Sequence, residues 1–182
     1  LKKSGRIAVI GPLADAASDM VGCWSLTGKA DRSVSLYQGL KAALGPNGTV
    51  SYAKGSNLVA DSLLEAKLNG MMGFVIPGMP VKKVHDRKPE DLLKEALELA
   101  KNSDVIIAAL GENANMNGEG ASRSIPDIPE PQKELLKALV ATKKPVVLVV
   151  FTGRPLILTW EDEHVPAILN AWFPGSEAGT SI

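Results

Sequence analysis

Val105-Ile106-Ile107-Ala108-Ala109-Leu110-Gly111-Glu112 is an apolar run that stops at a glycine and meets an acidic residue at once. An unbroken apolar run of this length is the pattern of a strand covered on both faces, whereas a strand with one wet face alternates. Beyond it, residues 111–129 are too rich in Gly, Asn and Pro for helix or strand, and they carry Glu112, Glu119 and Arg123. Reactive groups are commonly held this way, on irregular backbone fixed between rigid elements.

Outward from that run the same alternation repeats. Pro89-Glu90-Asp91 opens a helix with Leu92, Leu93, Ala96, Leu97 and Ala100 on one face, and Pro131 starts another with Leu135, Leu136, Leu139 and Val140 on one side. Residues 145–151 form a second continuous apolar strand, followed by a tight turn at Thr152-Gly153-Arg154-Pro155, a short strand at 156–158 and a last one at 167–172. Upstream, residues 6–10 read as a strand closed by Gly11-Pro12, 32–44 as a helix stopped by Gly45-Pro46, and 49–53 as a strand. The long loop at 13–31 holds Trp24 and reads as either a lid over the sheet or part of a surface that meets something else, with Trp24 taken as a packing residue. Residues 58–88 read as a short helix and an excursion, with Met71, Met72 and Phe74 in core or interdomain contacts and His85 solvated. Apolar strands alternating with amphipathic helices predict a single α/β domain over residues 1–182, a largely parallel sheet sandwiched by helices with right-handed crossovers. Ligands of such sheets gather beyond the carboxyl ends of the strands, where the loops after Leu110 and Phe151 lie.

The totals narrow the function classes. With 182 residues, 45% hydrophobic and 22% charged, the chain can bury one core; its formal charge is zero and its basic residues are scattered, so it lacks the positive stripe that nucleic acid requires. The lone Cys23 excludes an internal disulfide framework and a zinc cluster of cysteines. No apolar run approaches the roughly 20 residues that cross a bilayer, so no membrane partner is expected. Asn47-Gly48-Thr49 fits the glycosylation sequon, a triplet too common by chance to mark a site. A start on Leu1 and an end just after Gly175-Ser176-Glu177-Ala178-Gly179 are expected of a piece of a longer polypeptide.

The two loop carboxylates leave three chemistries open. A metal site would need further oxygen or nitrogen ligands, such as Asp127, and the spacing matches no calcium loop. A phosphate cradle would want a Gly-rich turn running into a helix with a basic residue, but this loop is acidic and ends in Pro126 and Pro129. The third is acid/base work by a carboxyl held partly protonated, on a segment that Gly118 and Gly120 allow to swing. Against all three stands a plain surface Glu paired with Arg123.

Five landmarks in order resemble a known family. Ile7-Ala8-Val9-Ile10-Gly11-Pro12 with Gly22-Cys23-Trp24-Ser25, Tyr52-Ala53-Lys54-Gly55, Leu110-Gly111-Glu112 with Gly118-Glu119-Gly120-Ala121-Ser122-Arg123 and Ile128-Pro129-Glu130-Pro131, Lys144-Pro145-Val146-Val147-Leu148-Val149 with Gly153-Arg154-Pro155, and Ala171-Trp172-Phe173-Pro174-Gly175 are similar to the C-terminal α/β sandwich domain of family 3 glycoside hydrolases, of the bacterial periplasmic β-glucosidase type. Residues 58–88 carry no landmark. The resemblance implies an (α/β)6 sandwich that packs on an N-terminal (β/α)8 barrel of the same polypeptide, with an active site between them. It implies that Glu119 is the acid/base of a retaining exo-acting β-glucosidase, that Glu112 and Arg123 support the loop or substrate, and that Trp24 lies on the face turned to the barrel. A β-glucoside or oligosaccharide substrate, no cofactor, no metal, a periplasmic or secreted location and a domain inactive without its barrel follow from it, and a homodimer is left open. The alternative is a non-catalytic carbohydrate-binding or interaction module on the same fold.

Overall fold

The computed structural model describes residues 4–25, 32–69, 84–85 and 87–182. Five strands, β1 (Gly5–Ile10), β2 (Gly48–Ala53), β3 (Val105–Gly111), β4 (Val146–Phe151) and β5 (Ala167–Asn170), form one sheet in the order β2-β1-β3-β4-β5, parallel at every pairing. Successive side chains of a strand point to opposite faces. Ile7, Val9, Ile107, Ala109, Val149 and Phe151 therefore enter one core, while Ala8, Ile10, Ile106, Ala108, Leu148 and Val150 enter another. This two-sided burial is why the strands carry no polar alternation.

Helices α1 (Leu36–Leu44), α2 (Ser62–Leu68), α3 (Pro89–Lys101), α4 (Glu130–Ala141), α5 (Thr159–His164) and α6 (Ala178–Ser181) complete the described elements. Leu36 and Leu44 of α1 close the first core; Ala96 and Ala100 of α3 with Leu135, Leu136 and Leu139 of α4 close the second. The α3 sequence explains its own ends: Pro89 sits in the first turn with Glu90 and Asp91, and Lys101 in the last.

Several local expectations change. The helix expected from residue 32 begins at Leu36, because Ser35 and Gln38 form a capping box: the Gln38 N–H donates to Ser35 Oγ at 3.2 Å and the Ser35 N–H to Gln38 Oε1 at 3.2 Å. The strand expected at 156–158 is an isolated parallel bridge between Ile157 and Asp127, so the described sheet has five strands where the (α/β)6 pattern implies six. The last strand ends at Asn170 rather than 172, as the backbone turns left-handed at Trp172, φ 56°. His85 is not solvated but half-buried, its Nε2 3.1 Å from Glu65 Oε2. Met71, Met72 and Phe74 lie outside the described residues.

Candidate functional site

β3 ends where its neighbour comes closest. Gly111 has φ 126°, and a Cβ there would sit 2.1 Å from the Phe151 carbonyl oxygen, so only glycine lets the chain leave the sheet at this point. The buried Gln132 of α4 fixes the exit: its Oε1 accepts from the Gly111 N–H at 2.9 Å, and its Nε2 donates to the carbonyls of Gly111 at 3.0 Å and Leu58 at 2.8 Å.

Glu112, the next residue, is fully buried. Its Oε1 accepts from Arg123 Nη1 at 2.9 Å, and its Oε2 lies 2.9 Å from the Thr152 hydroxyl and 3.2 Å from Arg154 Nε. A buried carboxylate survives only when paired and hydrogen-bonded on its remaining lone pairs, which two guanidiniums and a hydroxyl accomplish here. Arg123 also donates to Asp127 Oδ1 at 3.2 Å and to its carbonyl at 2.7 Å, while Lys133 Nζ reaches Asp127 Oδ2 at 2.9 Å. That ion pair to Asp127 holds the Lys133 ammonium above its ordinary value.

Arg154 comes from the turn after β4 and crosses beneath the loop. Its Nη2 donates to the carbonyls of Met116 and, at 2.7 Å, of Ala121; its Nε also lies 3.2 Å from Asn117 Oδ1. Asparagines build the rest. Asn113 Oδ1 accepts from the Met116 N–H at 3.2 Å and its amide donates to the Leu68 carbonyl at 3.0 Å, while Asn117 donates to the Asn113 carbonyl and accepts from the Gly153 N–H, each at 3.2 Å. From the loop after β1, Asp19 Oδ1 accepts from the Ala114 N–H at 3.0 Å. Burial pushes the Asp19 carboxyl up, and that hydrogen bond offsets part of the shift.

Glu119 stands at the exposed apex, between Gly118 (φ 102°) and Gly120 (φ 71°). It makes no hydrogen bond or ion pair among the described residues. The pairing of Glu119 with Arg123 is therefore absent, since Arg123 is occupied by Glu112 and Asp127. Beside the apex, a Cβ on Gly118 would lie 3.3 Å from Cys23 Sγ and 3.8 Å from Trp24 Cζ2. Trp24 is 68% exposed, so the packing role expected of it is not filled within this domain. On another flank lies a cavity of about 240 Å³ lined by Leu64, Leu68, Asn115, Met116, Ala121 and Ser122, with Arg123 at its edge.

The structure thus pairs the buried Glu112 with the half-buried Arg123 and leaves Glu119 and Trp24 at the surface. Sequence reading took Thr152-Gly153-Arg154-Pro155 only as a turn and landmark, and missed Arg154, Thr152, Asn113, Asn117, Asp19 and Gln132. An arginine in a turn shared with a family landmark was the one available signal.

The chain resembles known proteins over its whole length. The Glycosyl hydrolase family 3 C-terminal domain is matched by residues 1–182. A periplasmic beta-glucosidase of Salmonella typhimurium is 42% identical over 100% of the chain, and a beta-xylosidase of Formosa agariphila is 32% identical over 100% of it. The crystal structure of a beta-glucosidase from Listeria innocua in complex with glucose superposes on 99% of the chain with a TM-score of 0.75 at 28% identity. The chain spans 23%, 22% and 21% of those three proteins.

Proposed function

The chain belongs to the family 3 glycosyl hydrolase C-terminal domain family, and from that premise we propose that it supplies the acid/base carboxyl of a retaining β-glucosidase, with Glu119 as the proton donor. The observation that carries the reading is the contrast between the two loop carboxylates. Glu112 is locked under Arg123 and Arg154 and has no freedom to exchange a proton with a ligand. Glu119 is exposed, unpaired among the described residues, and borne by a loop tied down on both sides.

In the double displacement, the Glu119 carboxyl gives its proton to the glycosidic oxygen as a second carboxylate, contributed by the barrel, attacks the anomeric carbon. The leaving alcohol departs, and the Glu119 carboxylate then takes a proton from the water that attacks the glycosyl ester, which restores both carboxyls. Trp24 offers an apolar face beside the apex for the sugar or the barrel. The domain alone is silent, because one carboxyl cannot run a two-carboxyl mechanism. We assign the protein to the periplasm by its similarity to the Salmonella relative.

Replacing Glu119 with Ala in the complete polypeptide is expected to lower kcat on an aryl β-glucoside by about 10²–10⁴-fold, the usual worth of a positioned acid/base. Azide should restore turnover and yield the β-glucosyl azide, since retention requires the same face. Unchanged turnover would remove Glu119 from the mechanism and favour the binding-module reading, for which the exposed Trp24 is the supporting feature.

A further inference from the structure

We propose that Arg154 is the positioning residue of the acid/base loop, a clamp whose guanidinium fixes where the Glu119 carboxyl stands. The proposal rests on the assignment of Glu119 as acid/base and adds the group that aims it. One nitrogen, Nη2, takes the carbonyl of Met116 before the apex and of Ala121 after it. The four residues between those anchors include Gly118 and Gly120, both at positive φ, so the segment has little stiffness of its own. Its ends are held at one point by a side chain from the turn after β4.

The clamp is itself fixed. Arg154 Nε is shared between Glu112 Oε2 and Asn117 Oδ1, each at 3.2 Å. The Arg154 N–H donates to Thr152 Oγ1 at 3.1 Å, and the Thr152 hydroxyl shares its single proton between the Arg154 carbonyl at 2.8 Å and Glu112 Oε2 at 2.9 Å. Glu112, buried at the end of β3, is therefore the counter-charge that orients the guanidinium. Only a planar fork with several donors meets two carbonyls, an amide oxygen and a carboxylate together; a lysine ammonium supplies the charge and not the reach.

The test uses the complete polypeptide and two substrates: an alkyl β-glucoside, whose leaving group needs a proton, and a dinitrophenyl β-glucoside, whose leaving group does not. Arg154→Lys is expected to lower kcat/KM for the alkyl glucoside by about 100-fold, the cost of a small misplacement of a reacting group. For the dinitrophenyl glucoside kcat/KM should fall less than about threefold. In a Glu119→Ala background Arg154→Lys should add nothing, because residues acting through one group are non-additive. Equal losses on both substrates, or a loss that multiplies with that of Glu119→Ala, would overturn the proposal. Should Arg154→Lys fail to fold, Asn117→Ala loosens the same clamp and leaves the Glu112–Arg154 pair in place. It should show the same leaving-group bias at about tenfold, and absence of the bias overturns the clamp. If Glu119→Ala itself spares the alkyl glucoside, the acid/base assignment fails; if Glu119→Ala abolishes turnover while both clamp variants behave as wild type, only the clamp fails.

Discussion

At the scale of single residues, Asp19 and Asp104 show how one residue type is bent in opposite directions by its surroundings. Burial holds the Asp19 carboxyl above its ordinary 3.8, with partial relief from the Ala114 N–H. Its folded pKa exceeds the unfolded one, so stability falls as pH rises from 3.8 through the raised value, and the penalty is complete above it. Asp104 accepts from the side chain and backbone N–H of Arg6, which holds it down at about 2; its contribution is complete above 3.8 and is lost as pH falls through 2. Asp19→Asn keeps an oxygen for the Ala114 N–H and removes a buried charge. It should raise the urea midpoint at neutral pH, with the gain vanishing below pH 3.8; a lowered midpoint at neutral pH would mean the charge is needed. The ionic core around Glu112 was illegible in the sequence because Arg123 lies 11 positions away and Arg154 lies 42. Spacing patterns report neighbours on one element, and these partners meet only after β3 and β4 have paired.

At the scale of elements, legibility followed burial. β1, β3 and β4 read correctly because both faces are covered, and α3 and α4 because their apolar positions recur with helical spacing. The sequence TWEDEH of α5 gave no signal: six residues, half of them acidic, cannot show a helical period. The bridge at Ile157 was over-read as a strand because a few apolar residues in a row fit several structures equally. The start of α1 was misplaced for want of the cap. There Ser35 is fully buried, its hydroxyl serving both the Gln38 N–H and Asp15 Oδ1 at 2.5 Å. Ser35→Ala should therefore cost about 1–2 kcal/mol, the upper part of the range for a lost cap, read as a lower midpoint of thermal or urea unfolding. Ser35→Thr should recover most of it, unless the methyl finds no room.

At the scale of the whole molecule, the sheet order puts β1, the strand nearest the start of the chain, between β2 and β3. The loops after β1, β3 and β4 then converge on one edge, which is why Trp24 lies beside Gly118 and Arg154 reaches Ala121 although they are distant in sequence. Exposed apolar side chains at Trp24, Leu63 and Ile125 belong to the loops and helix of that same end. No described helix is long and apolar enough to cross a membrane. The fold class was readable from periodicity alone. The convergence was readable only as a rule about parallel sheets, without the residues that enact it.

That same order sets a timetable for the newborn chain. Arg6 and Asp104, which lock the start of β1 to that of β3, are 98 positions apart. At about 5–20 residues per second, Ile7, Val9 and Ile10 wait roughly 5–20 s after leaving the ribosome before their inner neighbour exists. The β3–α4–β4 unit, by contrast, closes over a short span, so pulsed hydrogen exchange during refolding should protect the amides of Ile106 and Glu112, which donate to the Pro145 and Phe151 carbonyls, before those that knit β1 to β3. Simultaneous protection would show instead that the long closure is itself the nucleus. Until then β1 has only β2 to pair with, and its second edge stays open to a chaperone.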